Sequence, residues 1–429
     1  MTPPPRPKAA GSIGPVIVAS FIGTAIEWYD FFLYGTAAAL VFNKLFFPNL
    51  DSLAGTLSAY GTFAVGFLAR PLGGAVFGHY GDKVGRKAML VWSLLLMGVA
   101  TALIGALPTY SSIGVWAPVL LVVLRFVQGI GVGGEWGGAV LMAVEHSGEG
   151  GKRGFHGSWP QMGVPAGLLL STGVFALLSG RLSEAEFLAW GWRVPFLTSA
   201  LLVGVGLFIR IRLLETPAFT ELKRQEGTSA APLIQVLKDH PRQVLVGMGM
   251  RFAQNVLFYI FTVFVLSYGE KGLGYTKSTM LGGVAVGATV GLFTIPLFGA
   301  LSDRVGRKPI YLAGAVFSLL YAFPFFWLVG QGPAFVALAI VLGLNVGHDM
   351  MYGPQAAYFS ELFSTRVRYS GASLVYQLTS VFSGGMAPFI ATLLVARYGS
   401  WSVASYMVAS CLLTLIATLF APETHKTRL

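Results

Sequence analysis

Apolar runs long enough to cross a bilayer recur from one end of this 429-residue chain to the other, and that recurrence leaves few folds open. In hydrocarbon every backbone N–H and C=O must be paired within the protein, so only helices and closed barrels span a membrane. Runs of eighteen residues or more have the length of a crossing helix; a barrel strand needs only about half as many. Twelve runs can be drawn, at roughly 13–42, 56–80, 88–107, 115–146, 155–180, 190–213, 242–268, 278–301, 309–329, 334–362, 369–396 and 400–421. Only 11% of the residues are charged, far below the roughly 25% of a soluble domain. The expectation is an all-α membrane protein of twelve transmembrane helices in two six-helix bundles, 13–213 and 242–421. The polar segment 214–241 joins them, and tails at 1–12 (Pro-rich, read as disordered) and 422–429 complete the chain. The first run is too long for the core of a cleaved signal and has no A-x-A site, so it reads as a retained helix. The single cysteine, Cys411, lies in the last run, which leaves no disulfide framework and no cysteine metal site.

Lys and Arg are distributed unevenly over the loops. With both termini on one side, 20 of the 29 fall there, six fall on the other side, and Arg70, Arg125 and Arg251 lie within runs. The positive-inside rule then places both termini in the cytoplasm. The net charge of +11 is accounted for by loops facing anionic lipid, so a nucleic-acid partner is not needed.

Two loops repeat. Residues 78–87 read GHYGDKVGRK and residues 299–308 read GALSDRVGRK, each after the second helix of its half, and LLETP at 213–217 has a weaker echo in APETH at 421–425. The doubled G-x-x-x-D-[RK]-x-G-R-K loop resembles the signature of the major facilitator superfamily. EWYDFFLYG, ARPLGGAVFGHYGDKVGRK and RFVQGIGVGGEWGGA resemble the metabolite:H+ symporter family within it. That resemblance implies a proton-coupled secondary transporter in the cell inner membrane. Its substrate would be a small organic acid, as in family members that carry shikimate, α-ketoglutarate, citrate, or proline and betaine. No cofactor is implied beyond the coupling proton, and no obligate protein partner is evident.

Charges inside the runs cost at least ~2.5–3.5 kcal/mol each on insertion scales, so each needs a reason. Asp30 and Arg125 lie at similar depths, roughly 18 and 15 Å from the outer end of their runs at 1.5 Å per residue. Pairing is the cheap solution for both. They match the Asp–Arg pair of proton-coupled sugar porters, which implies that protonating Asp30 releases Arg125; the bland alternative is a fixed ion pair. Glu27 lies one turn before Asp30 and makes a titratable centre with it, or else serves Arg70. Glu135, among the glycines of run four, is a second protonation site or a gate partner. Those glycines, Gly129, Gly133, Gly137 and Gly134, Gly138, are expected to let a neighbouring backbone approach.

Arg251, Asn255 and Tyr259 form one polar stripe at i, i+4, i+8 on run seven. Asn255, Tyr259 and Gln161 match substrate contacts of the sugar porters. Arg251 would grip a carboxylate and exchange it for Asp349. Asn345 and Asp349 share a face of run ten, and Tyr376 and Gln377 on run eleven are further candidates. His348 reads as a satisfied core histidine before a proton relay, and HDMMYG has no metal-binding spacing. A zwitterion would fit if a carboxylate with Trp28 and Tyr34 meets its cationic end. For single polar residues, helix–helix hydrogen bonding is the alternative.

The charged loops carry Asp82, Arg86, Asp303 and Arg307, with Gly85 and Gly306 permitting tight backbone; Glu145 and Glu361 end runs four and ten, and Arg153 and Arg368 follow them. This set resembles the cytoplasmic gate of sugar porters, which Glu215 and Glu423 would join. Topology control by positive charge is compatible with it. The runs contain no G-x-S-x-G, no H-E-x-x-H and no paired metal ligands, which disfavours a membrane enzyme, and a passive facilitator would need no titratable centre.

Overall fold

The computed structural model describes residues 13–84, 86–133, 136, 140, 143–144, 147, 151–212, 232–363 and 368–427. Twelve long helices account for the twelve runs. In the first half they are α1 (Ile13–Leu40), α2 (Ser52–Val84), α3 (Arg86–Ala106), α4 (Trp116–Gly133), α5 (Arg153–Arg181) and α6 (Arg193–Arg212). In the second half they are α7 (Pro241–Gly272), α8 (Lys277–Val305), α9 (Arg307–Gly330), α10 (Pro333–Glu361), α11 (Gly371–Tyr398) and α12 (Ser400–Phe420). Among the described residues nine are long and apolar enough to cross a membrane on their own, and α6 with the short segment Glu184–Gly191 before it makes a tenth, bent by 40°. The apolar part of α3 is only Val91–Ala106, after Arg86 and Lys87 in its first turn. α1 carries Glu27 and Asp30.

The repeated loop is tighter than its composition suggests. α8 runs helical to Val305 and α9 begins at Arg307, so Gly306 alone makes the corner, at φ +114°. L side chains avoid that region, which accounts for the glycine. Gly85, its counterpart, lies outside the described residues.

In each half the helices pack as pairs, α1 on α5, α2 on α4 and α3 on α6, then α7 on α11, α8 on α10 and α9 on α12. The halves meet along α5 with α8 and α2 with α11. These two contacts exchange under the internal repeat, as expected for pseudo-symmetric bundles. The α2–α4 approach depends on glycine. A Cβ at Gly129 would lie 2.1 Å from the Gly66 carbonyl oxygen, and one at Gly133 would lie 2.1 Å from that of Arg70. The expected role of these two glycines is therefore observed, whereas Gly134, Gly137 and Gly138 lie outside the described residues.

Two connecting segments carry ordered structure. The segment read as a polar linker contains a short helix, Pro232–Asp239, with Val236 buried. The C-terminal tail is docked: Tyr358 Oη donates to the Pro422 carbonyl at 2.9 Å, and Thr424 Oγ1 donates to Glu361 at 2.7 Å.

Candidate functional site

A cavity of about 10 Å3, room for roughly one water, lies where the halves meet. Its walls include Glu27 and Trp28 of α1, Arg70 of α2, Trp136, Gln161 of α5, Tyr352 of α10, and Tyr376 and Gln377 of α11. Trp136 and Tyr376 stack with ring centroids 3.9 Å apart. Gln161 donates to the Tyr352 carbonyl at 2.6 Å, and Gln377 donates to the Gly133 carbonyl at 2.9 Å. Of the expected contact residues, Trp28, Gln161, Tyr376 and Gln377 thus surround one space, with Glu27 beside them.

Arg70 is the cation of that space. It is 1% exposed, and its guanidinium lies over Phe31 (4.2 Å), Phe67 (4.4 Å) and Trp28 (5.2 Å). Its Nε and Nη2 have no hydrogen-bond partner among the described residues. Aromatic faces compensate a buried cation only in part. Sequence reading treats Arg70 only as a partner for Glu27. Its bare N–H groups are a property of the fold.

Asp30 and Arg125 do not form the expected ion pair. Asp30 is fully buried and its carboxylate accepts from the Ser199 hydroxyl of α6. Arg125 Nη1 donates to Gln128 Oε1, and Gln128 Nε2 donates to the Asp30 backbone carbonyl (3.2 Å) and to Thr101 Oγ1 (2.7 Å). The guanidinium sits in an aromatic box of Phe31, Tyr34 and Phe63. One glutamine amide therefore stands between the two charged residues. Tyr34 donates to Thr62 at 2.7 Å and lies outside the cavity lining.

The expected Arg251–Asp349 pair is also absent. Arg251 donates to Gln355 (2.8 Å), Gln254 (3.1 Å) and Ser380 (3.2 Å), with its guanidinium 3.3 Å from the Tyr376 ring centroid. It stands behind the Tyr376 wall instead of lining the cavity. Asn255 donates to Ser383 of α11 at 2.8 Å, and Tyr259 meets Phe63 and Phe67 edge to face. The polar stripe of α7 thus packs on helices. Asp349 is held by Asn345 (2.9 Å), Thr294 and His348 (2.8 Å).

Ties between the halves close both ends. At one end Asp303 of α8 accepts from the backbone N–H of Gly154 (2.8 Å) and Phe155 (2.9 Å), and so caps the N-terminus of α5 from the other half. Arg307 contacts Asp303 (2.7 Å) and Glu361 (3.2 Å), and Glu361 also meets Arg153 across the halves (3.2 Å). Arg368 donates to the Ser360 carbonyl at 2.9 Å. Glu423 accepts from the N–H groups of Arg307 and Lys308. Burial pushes its carboxyl upward, but backbone donors including those of His425, Arg307 and Lys308 outweigh this and hold it below the usual carboxylate range. Glu135, Glu145 and Glu215, with the side chains of Asp82 and Arg86, lie outside the described residues.

The opposite end has ties that sequence reading does not anticipate. Glu184 meets Lys44 (2.6 Å) and, across the halves, Lys277 (3.5 Å). Tyr60 bonds Ser267 (2.8 Å), and Lys271 donates to Thr56 (2.6 Å). A cavity of about 300 Å3 lies beside Glu184, Glu270 and Lys277.

Comparison with known proteins agrees with this architecture. The Major Facilitator Superfamily sequence model matches residues 20–378. The chain is 43% identical over 415 residues to the Shikimate transporter of Escherichia coli (strain K12), covering 95% of this chain and 94% of that protein. It is 44% identical to the Inner membrane metabolite transport protein YhjE of the same strain, covering 96% and 94%. It is 36% identical to the Proline/betaine transporter of that strain, covering 96% and 84%. The solved structure of the proton:xylose symporter XylE bound to 6-bromo-6-deoxy-D-glucose superposes with a TM-score of 0.74 at 20% identity, covering 97% of each chain, which is a likeness of fold.

Proposed function

The chain belongs to the Major Facilitator Superfamily, as a multi-pass inner-membrane transporter and not an enzyme, and we propose that it is a proton-coupled symporter of a small organic carboxylate. The observation that carries the reading is Arg70, a buried guanidinium with two unsatisfied nitrogens on a cavity between the halves. A carboxylate would supply the missing acceptors, and guanidinium binds it in a two-point fork. Gln161 and Gln377 offer amides to hydroxyl groups, and Trp28 with the Trp136–Tyr376 stack offers flat apolar walls to a ring. A hydroxylated cyclic acid of the shikimate type fits this set, in line with the 43% identical relative of that name.

Asp30 is the proposed proton carrier. Its buried carboxylate has Ser199 as a donor, with Gln128 relaying the position of Arg125 to the same stretch of α1. Adding a proton there removes one buried charge from between the helices, which lowers the cost of reorienting the loaded protein. The space of about 10 Å3 does not admit such a substrate until one end opens. Alternating access then consists of releasing the Asp303/Arg153/Glu361 ties or the Glu184/Lys277/Tyr60 ties in turn. The positive-inside distribution puts both termini and the Asp303 end in the cytoplasm.

A second reading has one observation in its favour. Glu27 lines the same space as Arg70, together with Trp28 and Trp136, so a zwitterion could place its two ends on opposite charges. Proteoliposome uptake of radiolabelled shikimate, other mono- and dicarboxylates, proline and betaine separates the readings when run with and without an inward-acid pH gradient. Gradient-driven accumulation of a carboxylate is expected. Preference for proline or betaine would favour the zwitterion, and uptake indifferent to the gradient would mean passive facilitation.

A further inference from the structure

Four buried side chains in the second half form an unbroken hydrogen-bonded chain. Asp349 Oδ1 meets His348 Nδ1 at 2.8 Å, His348 Nε2 meets Gln254 Nε2 at 2.7 Å, and Gln254 Oε1 accepts from Arg251 Nη1 at 3.1 Å. All four are 3% exposed or less. The polarity of the chain is set by its members. Arg251 can only donate, so Gln254 turns its oxygen to Arg251 and its NH2 to His348. His348 Nε2 is then an acceptor, and Nδ1–H donates to the Asp349 carboxylate. The imidazole is neutral, and its Nε2 lone pair points at an amide that could rotate.

We propose that the His348–Asp349 dyad is a second proton-binding site of the transporter, and that its proton is transmitted to Arg251 by reversal of the Gln254 amide. A proton added to His348 Nε2 turns that nitrogen into a donor, so the NH2 of Gln254 can no longer face it. Rotating the amide by half a turn offers Oε1 to the imidazolium and NH2 to Arg251. Two donors then face each other, and Arg251 loses one of its three acceptors, keeping Gln355 and Ser380. No covalent bond other than the new N–H forms, and the Asp349 carboxylate balances the added charge. Arg251 lies directly on the ring of Tyr376, whose other face stacks on Trp136 at the central cavity. A shift of the guanidinium is thus one aromatic layer from the substrate space.

Among the described residues the surroundings contain little else that could answer the same proton. The titratable and charged groups around His348 are Asp349 and Tyr352 on α10, Arg251 on α7, Tyr311 on α9 through Gln355, and Tyr376 on α11 through Arg251. Thr294 of α8 contributes a hydroxyl to Asp349, and the aromatic neighbour on α7 is Phe258. The site is separate from Asp30, which lies in the other half, and the inference does not depend on which substrate is carried.

The test needs no substrate. The full chain, purified in detergent, is titrated from pH 8 to pH 5 to count protons taken up, and the side-chain Nε–H resonance of Arg251, identified by its loss in Arg251→Lys, is followed over the same range. His348→Gln should take up about one proton fewer than the wild type, and its Arg251 signal should stay still. Gln254→Leu should keep the proton uptake yet lose the response of Arg251. Equal uptake by His348→Gln and wild type would overturn the site, and an Arg251 signal insensitive to pH in the wild type would overturn the transmission. Should His348→Gln fail to fold, the wild-type signal and Gln254→Leu still decide. Failure here leaves uptake coupled through Asp30 untouched, whereas loss of pH-driven uptake in the wild type would refute symport and not this site.

Discussion

Asp303→Ala should open the end of the bundle that Asp303 ties. Asp303 is the acceptor for the first free N–H groups of α5, at 2.8 and 2.9 Å, and it belongs to the opposite half. Anionic caps complement the positive end of a helix as well as bonding its free donors. Charge-assisted hydrogen bonds contribute ~1.5–3 kcal/mol each when one partner is removed, and loss of a helix cap costs ~0.5–2 kcal/mol overall, because water replaces part of the interaction. With the halves apart, water reaches both partners, so the differential effect is about 2–3 kcal/mol, or roughly 30- to 160-fold in the closed-to-open ratio. Arg307 retains Glu361 and Ser302 in the variant, so the bundle should survive. The assay is thiol labelling of Ser158→Cys in a Cys411→Ser background. Ser158 is buried in α5 where its side chain meets Gly299 of α8. Labelling should accelerate at least tenfold when Asp303→Ala is added. An unchanged rate would refute the argument that this trans cap holds the end shut.

Arg70→Gln should raise the apparent KM for an anionic substrate at least tenfold, equivalent to about 1.4 kcal/mol, while Arg251→Gln has a smaller effect; equal effects in an uptake assay would remove Arg70 from the anion site. Gly133→Ala puts a Cβ about 2.1 Å from the Arg70 carbonyl oxygen. Overpacking of this kind costs ~1–3 kcal/mol, so thermal stability in detergent should fall, and an unchanged melting temperature would refute the close approach. Glu423 is depressed below its ordinary value, so its contribution is present above the unfolded pKa and lost as pH falls through the folded one. Its side chain is one-third exposed, which limits the effect to under about 1 kcal/mol. Glu423→Gln should flatten part of the loss of stability as pH falls below about 5, as read by melting temperature.

The bundle was legible because hydrocarbon admits few structures and every crossing helix needs its own apolar run. Gly129 and Gly133 were legible because spacing at i, i+4 puts both on one face, and Gly306 because the turn is short. The partners of Asp30 and Arg125 were not. Sequence registers that a buried charge needs compensation, but cannot tell a direct ion pair from a glutamine bridge. Gln128 and Gln254 are cheap enough in a helix to pass without notice, and their role exists only once α1, α3 and α10 supply the Asp30 carbonyl, Thr101 and His348. The stripe of Arg251 resembles a binding face, but α11 covers it; Arg70, Arg125 and Arg251 all have guanidinium nitrogens without a hydrogen-bond partner among the described residues, and of the three Arg70 lines the central cavity. The ties of Lys44, Glu184 and Lys277 were missed because loop charges read as solvated when their partners lie more than 90 residues away.

The central claim is that a proton on Asp30 drives accumulation of a carboxylate. Its most direct test is the steady-state level of a transported radiolabelled carboxylate in proteoliposomes under an inward-acid gradient, for wild type and Asp30→Asn. Asparagine keeps the shape of the protonated side chain and cannot exchange the proton. Wild type should concentrate the substrate above the external level, and the variant should stop at equilibration while still exchanging preloaded label. Concentration by Asp30→Asn to the wild-type level would contradict the account.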